Sequence, residues 1–217
     1  MANFADIKGH NTANIRKALE MSIFIKPAED TDVAVTAVYD AEGVLVPEGY
    51  VSVGLTTKDD GASWSRQQDA AETTSHGYAE PTRRDITSDV RGLGFTMQET
   101  KRTSLELYHG VDLSGVQVDA DGNFYFDAPS RPASRKYRVF ALGKDGDGPD
   151  AIYVARWLPL VEITEQGEQA WNEGAEINYP VTMTGRNDSQ FGTSFREVWG
   201  GPGLDHVAMG LDAPVTP

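Results

Sequence analysis

Four histidines are the side chains of this sequence best suited to acid–base or metal chemistry, namely His10, His76, His109 and His206. No two of them have the spacing of a metal-binding pair, and none lies in a catalytic signature. The sequence has no cysteine, which excludes thiol nucleophiles, disulfides and thiolate metal sites. We therefore predict that the histidines are exposed or structural.

Two acidic turns carry oxygen ligands at alternate positions, as calcium chelation requires. In residues 119–123 the glycine comes too early, and Ser130 stands where a bidentate glutamate is needed. In residues 145–150 a Gly-Pro pair interrupts the spacing. The pattern favours turns stabilised by Asx hydrogen bonds, so no metal and no cofactor is predicted.

Two glycine-containing segments partly match catalytic or nucleotide-binding motifs. Residues 61–65 begin like the nucleophile elbow of hydrolases, but Ser65 stands where the second glycine should be. Residues 92–94 read Gly-Leu-Gly and lack the third glycine of a dinucleotide-binding fingerprint. Both matches fail at a required position, so we predict that the chain is not an enzyme.

The charge balance limits the possible partners. Lys and Arg number 19 and Asp and Glu number 33, which gives a net charge of −14 over 217 residues. Such a surface repels nucleic acid, because phosphate binding relies on Lys and Arg. The charge is explained either by solubility or by a surface that DNA must pass without binding. No apolar run is long enough to span a membrane, and the first residues lack a secretory signal pattern.

The elements that would position any site are mostly strands. Short β-rich runs separated by turn residues predict a mainly β chain, a two-sheet antiparallel β-sandwich with one short helix and a long polar inter-strand loop at residues 56–89. Strands are predicted at residues 21–26, 49–55, 91–97, 124–126, 135–142, 151–163, 177–184 and 191–199. Residues 33–39 fit either a strand or a connection, and within the long polar stretch residues 73–78 and 83–87 could each be short strands.

We predict a single domain over residues 1–200, in which residues 1–48 form an arm or a strand and loop, and a Gly/Pro-rich tail at residues 201–217. The helix is predicted to start with Thr100 or Thr103 as its cap and to stop at Gly110. Leu105 and Tyr108 would pack from one helix face.

Two of the predicted strands are apolar on both faces, although an antiparallel strand usually has one wet face. We expect the second face to be covered either by the helix or by another subunit. The intersubunit strand candidates are Tyr137, Val139, Phe140, Ile152, Val154 and Trp157.

The order of several segments resembles the major tail tube proteins of long-tailed, siphovirus-type phages, especially those of actinobacterial hosts. The shared features are Gly-Tyr-Val at 49–51, Asp-Asp-Gly-Ala-Ser-Trp-Ser at 59–65, His-Gly-Tyr at 76–78, and residues 91–97, 99–110 and 176–184. The most specific are the Glu-Thr-Lys-Arg…Leu-Glu-Leu-Tyr helix and the Tyr-Pro-Val-Thr strand. The resemblance covers residues 49–200.

This resemblance implies a structural virion protein of the phage tail, assembled in the host bacterial cytoplasm. Six copies would form a ring with a continuous inner β-barrel, and rings would stack around a tape-measure protein. Double-stranded DNA would later pass without specific binding. Tail terminator and distal tail proteins are the other implied partners, and no membrane is involved.

In that family the long loop between early strands reaches the neighbouring ring. The ring-stacking candidates are therefore Lys58, Asp59, Asp60, Trp64, Arg66, His76 and Tyr78. A carbohydrate-binding or adhesion β-sandwich is the alternative. In it, Trp64, Trp157, Trp171 and Trp199 would stack on sugars, although scattered tryptophans more often serve a core or an interface.

Overall fold

A computed structural model describes residues 4–212 of the chain. Within this range two α-helices and ten strands alternate with turns: α1 (Phe4–Lys8), β1 (Glu20–Pro27), β2 (Tyr39–Asp40), β3 (Gly43–Val44), β4 (Val51–Ser52), β5 (Ser63–Thr73), β6 (Arg83–Met97), α2 (Arg102–His109), β7 (Lys136–Asp145), β8 (Ile152–Gln166), β9 (Tyr179–Gly185) and β10 (Arg196–Gly200). Short 3-10 turns lie at Thr12–Asn14 and Gly148–Asp150.

One antiparallel sheet, in the order β4-β1-β7-β8-β9-β6-β5, bends into two layers. The long strand β8 runs through both, since its first part pairs with β7 and β10 and its last part, from Val161, pairs with β9. The layers meet again where Gln98 N–H donates to Leu55 O and Thr57 N–H donates to Thr96 O, at 2.9 and 3.0 Å. The result is a closed β-sandwich, and the predicted mainly β fold class is confirmed.

The core lies between the two layers. Ile23 and Val139 of the first layer share a buried cluster with Leu93, Phe95 and Met183 of the second. These residues alternate with outward-facing ones along each strand, which is the period-2 pattern of a sheet with one buried face.

The outer face of the first layer is also apolar, and the chain covers it itself. Phe140 and Trp157 lie side by side on neighbouring strands there, and both are fully buried. Val35 and Val38 from the connection after β1 pack on them, together with Phe191 from the connection before β10. The expectation that the helix or another subunit supplies this cover is therefore wrong at these residues, because irregular segments of the same chain do so.

A buried arginine holds these covering segments in place. Arg138 of β7 is 2% exposed, and its guanidinium donates to the Asp32 and Asp188 carboxylates, the Gln190 amide oxygen and two backbone carbonyls. Asp32 also accepts from Lys26. Burial alone would raise the pKa of Asp32, but the hydrogen bonds from Lys26 and Arg138 outweigh it, and the pKa is lowered. We call Arg138, Asp32, Asp188 and Gln190 the arginine clasp.

Helix α2 packs against the core from the side of β9. Leu107 is fully buried, while Leu105 and Tyr108 are half-buried against the same cluster, as predicted. Gly110 ends the helix in the left-handed conformation, with φ of 65°. The predicted cap is wrong, because Lys101 occupies the N-cap position without a side-chain hydrogen bond, and the Thr100 hydroxyl instead lies 2.8 Å from that of Tyr179.

Several predicted segments differ from the structure. Within residues 49–55 only Val51–Ser52 is strand, residues 124–126 are irregular, and the last strand starts at Arg196 instead of residue 191. The turn at residues 119–123 has the predicted Asx bonds, since Asp119 accepts from two backbone N–H groups at 2.9 and 2.7 Å.

The terminal regions were predicted as an arm or strand and loop and as an irregular tail. Residues 1–48 contain β1, an inner strand of the sheet. Residues 201–212 form turns, and the rest of the predicted tail lies outside the described residues.

Candidate functional site

The predicted long polar loop at residues 56–89 is mostly a regular hairpin. Strands β5 and β6 pair from Ser63–Gly94 to Thr73–Arg83, but β9 supports β6 only from Gly92 onwards. Residues 66–73 and 83–91 therefore leave the sandwich as a two-stranded ribbon, joined by residues 74–82. At about 3.4 Å per residue the ribbon is about 25 Å long.

The ribbon is held together by charges across its two strands. Arg66 donates twice to Asp89, at 2.8 and 2.7 Å, and this contact lowers the pKa of Asp89 to about 2. Arg84 lies 3.9 Å from Glu72 of the opposite strand, and Arg83 donates to Asp85 of its own strand at 2.7 Å. Both faces of the ribbon are largely exposed, and Ile86 is 63% exposed. The ribbon thus has an ordered pairing but little cover from its own chain.

The predicted ring-stacking residues are spread along this hairpin. Lys58, Asp59 and Asp60 form a turn below its base, Trp64 lies at its root, and Arg66 lies on the ribbon. His76 and Tyr78 lie in the tip, and Tyr78 is 69% exposed. The structure therefore brings His76 and Tyr78 together at the tip and leaves the 58–60 turn at the opposite end. Their role in stacking stays a prediction.

The outer edge of β5 is a long run of backbone that no other described strand pairs with. The eleven residues of β5 contain neither proline nor lysine, which are common means of blocking an edge. One bulge, between Asp69 and Ala70, is the only irregularity in its register with β6. Such an edge is suited to pair with a strand of another molecule.

The outer face of the second layer is rich in hydroxyl groups. Two rows cross it, Glu162–Thr184–Gly92–Ser65 and Glu165–Thr182–Gly94–Ser63. Thr164 and Thr184 lie 2.9 Å apart through their hydroxyls. Arg186 lies beside the first row, where it contacts Glu162 at 3.2 Å. We call this surface the hydroxyl face; it is acidic at its β8 side and uncharged along β9, β6 and the root of β5.

Five of the six predicted intersubunit strand residues are not accessible to another copy. Tyr137, Val139, Phe140, Ile152 and Trp157 are buried by the chain itself. Both edges of β7 are already paired, to β1 and to β8. Only Val154 is partly accessible, in a groove of about 250 Å³ that Met21, Trp64 and Trp199 also line. An intersubunit role for these residues is untested, but their apolar character no longer supports it.

Sequence reasoning missed two features of the site. The hydroxyl face had a signal, the alternation of Thr182 and Thr184 with buried Val181 and Met183. The arginine clasp had none, because Arg138 stands in an apolar strand and its partners are about 50 and 106 residues away.

Comparison with known proteins places these surfaces in context. A family model described as phage tail tube protein matches residues 8–193. The chain belongs to the phage tail tube protein family. It is therefore a structural protein of the virion tail and not an enzyme. Membership in a tube-forming family implies self-association, for which the ribbon, the β5 edge and the hydroxyl face are the candidate surfaces.

Other comparisons add little to this assignment. No curated protein matches the chain. A cryo-EM structure of the anti-feeding prophage cap, a tube-terminating cap, is 10% identical, with a TM-score of 0.37, and the match covers 82% of this tail tube protein and 87% of the cap chain.

Among the described residues no helix has the length and apolarity to cross a membrane. The described residues also contain no group of three His, Asp or Glu side chains placed to hold a metal.

Proposed function

We propose that this tail tube protein assembles into six-membered rings that stack into the tube of a siphovirus-type tail, first around a tape-measure protein and later around the passing DNA. The observation that carries the proposal is the exposed ribbon at residues 66–91. A two-stranded ribbon without a covered face is marginally stable in water, so contact with a second copy would stabilise it.

The ribbon is proposed to cross to the neighbouring ring. It extends about 25 Å beyond the supported part of β6, and its tip presents His76 and Tyr78. Arg66, Arg83 and Arg84 are already paired with carboxylates of the ribbon itself. The uncharged groups exposed for contact are Tyr78, Ile86 and the outer backbone edge of β5. An interface core enriched in Tyr and apolar groups fits this composition.

Within a ring, the free edge of β5 is proposed to pair with the next copy. Closing a sheet across copies removes an edge that would otherwise join chains without limit. If β5 lies in such a shared sheet, the hydroxyl face continues from copy to copy.

The hydroxyl face is proposed to line the bore of the tube. Its rows along β9, β6 and the root of β5 carry serine and threonine hydroxyls and glycines and no cationic side chain. Glu165 adds negative charge, and Arg186, beside the first row, is paired with Glu162. A duplex has little to bind there, because phosphate affinity comes mainly from Lys and Arg. This arrangement would let DNA pass without adhering.

Further partners rest on the sequence resemblance. Tail terminator and distal tail proteins would cap the two ends of the tube, and assembly would take place in the cytoplasm of the bacterial host, with an actinobacterium the host that the resemblance favours.

The carbohydrate-binding alternative gains no support from the tryptophans. Trp157 is fully buried, Trp64 lies beneath Arg156, and the indole of Trp199 donates to Glu197. Trp171 is 78% exposed in the connection between β8 and β9. No two tryptophans are in ring contact among the described residues, so they form no shared platform for a sugar.

Electron microscopy of a shortened hairpin tests the proposal. Replacing residues 68–89 by Asn-Gly joins Gln67 to Val90, which face each other, through a two-residue turn. The purified wild-type protein should form hollow tubes, and the shortened protein should fold but form none. Tubes of normal length from the shortened protein, or monodisperse wild-type monomers at high concentration, would contradict the proposal.

A further inference from the structure

The direction of the ribbon must be set at its root. In residues 83–91, which precede Gly92, β6 pairs only with β5, and these residues are mostly exposed. Two-stranded ribbons twist more freely than wide sheets. A ribbon about 25 Å long turns a small change at its root into a large displacement of its tip. A fixed direction therefore needs contacts between the root and the body of the sandwich.

Four side chains form such contacts at the root. Trp64 of β5 meets Phe195 edge-on, with ring centres 6.3 Å apart. The guanidinium of Arg156, on β8, lies 5.0 Å from the centre of the Trp64 ring, and that of Arg91, on β6, lies 4.3 Å from the Phe195 ring. We call these four residues the root stack; it links both ribbon strands to β8 and to the segment before β10.

The body holds its own half of the root stack firmly. Arg156 donates to Glu197 at 2.7 Å. The backbone N–H of Phe195 donates to the Thr193 hydroxyl at 3.2 Å, and that hydroxyl donates to the Phe195 carbonyl at 2.9 Å. The backbones of β9 and β6 also pack closely at this point. A Cβ atom added to Gly185 would lie only 3.2 Å from the carbonyl oxygen of Arg91.

The root stack lies at the margin of the core, where Trp64 and Phe195 pack against the main buried cluster without belonging to it. Trp64 is only half-buried and borders the 250 Å³ groove. The fully buried side chains are Trp157, Phe140, Leu93, Leu158 and others in the two apolar clusters, and none of the four stack residues is among them. Removing the Trp64 ring should therefore loosen the ribbon and leave the sandwich intact.

We infer that Trp64, through Phe195, Arg91 and Arg156, is a positioning residue that fixes the direction in which the ribbon leaves the sandwich, and that tube formation depends on this direction. The claim about tube formation rests on the proposed function. Cation–π and edge-on aromatic contacts each contribute modestly to stability. Here they act together at the root, where the ribbon joins the sandwich.

Hydrogen exchange on the soluble chain tests the positioning role. Trp64→Ala should speed exchange of ribbon amides, residues 66–73 and 83–91, about tenfold, with β7 and β8 amides unchanged. Arg156→Gln, on a different strand, should loosen the same amides, and Trp64→Phe should restore most protection. Trp171→Ala, at an exposed tryptophan in another connection, is the matched control and should change none of them.

Tube formation by the same variants tests whether assembly depends on the direction of the ribbon. The protein concentration needed for tubes should rise about tenfold in Trp64→Ala and return towards the wild-type value in Trp64→Phe. Unchanged ribbon exchange, or equal loosening of β7 and β8, would overturn the positioning role. A loosened ribbon with normal tubes would overturn its importance for assembly. Failure of the wild type to form tubes would instead count against the proposed function, because the exchange experiment needs no tubes.

Discussion

Replacing Arg138 by methionine should destabilise the protein more than any surface change. The substitution keeps an apolar chain of similar reach in β7 but removes all five donated hydrogen bonds of the arginine clasp. Asp188 is left 6% exposed and loses its ion-pair partner, whereas Asp32 keeps Lys26. The two loops that cover Phe140 and Trp157 lose their shared anchor.

The structure indicates the size of the effect. Breaking a buried ion pair by removing one partner costs about 3–5 kcal/mol. For Arg138→Met we expect a loss near the middle of this range, since Asp32 retains one cation and Asp188 retains the Gln190 backbone N–H at 2.8 Å. Adding Asp188→Asn removes the stranded charge, so the double variant should be less destabilised than the sum of the two single changes.

Urea unfolding across pH is the assay. The pKa of Asp32 is lowered below its ordinary 3.8 in the folded protein, so its ionised form stabilises the fold above that value. This stability is lost as the pH falls through the folded pKa. The wild-type advantage over Arg138→Met should therefore be full at pH 7 and shrink below about pH 4.

A matched surface arginine provides the control. Arg186 contacts Glu162 with its side chain 63% exposed, and Arg186→Met should cost less than about 1 kcal/mol. If Arg138→Met costs no more than Arg186→Met, or if its deficit is the same at pH 7 and pH 3, the arginine clasp does not anchor the covering loops.

Three further changes have defined outcomes. Gly110→Ala places a side chain at φ of 65° and should cost about 1 kcal/mol in urea unfolding, whereas Gly115→Ala, in open space, should not; equal effects would refute the strain. Burial raises the pKa of Tyr50 from 10.0 to about 12, so wild-type stability should fall as pH rises through that window, and a Tyr50→Phe protein with the same decline would contradict this. Glu165→Lys on the hydroxyl face should slow DNA ejection from particles, measured by dye release, and Glu173→Lys should not; unchanged rates for both would remove the electrostatic role.

The sequence predicted those elements whose pattern is local. Tyr179, Val181 and Met183 are buried, and the residues that alternate with them, Pro180, Thr182 and Thr184, are partly exposed. Leu105 and Tyr108 were assigned to one helix face by their spacing alone. The left-handed stop at Gly110 followed from glycine's freedom at positive φ.

The features that the sequence did not reveal depend on distant contacts. The outer face of β7 and β8 is covered by Val35, Val38 and Phe191, which lie in irregular segments without periodicity. Both faces of the ribbon are largely exposed, so its sequence has no apolar stripe. The pairing of Arg66 with Asp89 follows only from the strand register. Polar patterning therefore predicted a loop where cross-strand pairing forms a hairpin.

A cryo-EM reconstruction of tubes grown from the purified protein tests the central claim most directly. It should show the ribbon of each copy crossing a ring boundary and the hydroxyl face, with Thr182 and Thr184, turned towards the bore. Tubes in which this face lies on the outside or is buried between copies, or in which the ribbon stays within its own ring, would contradict the account.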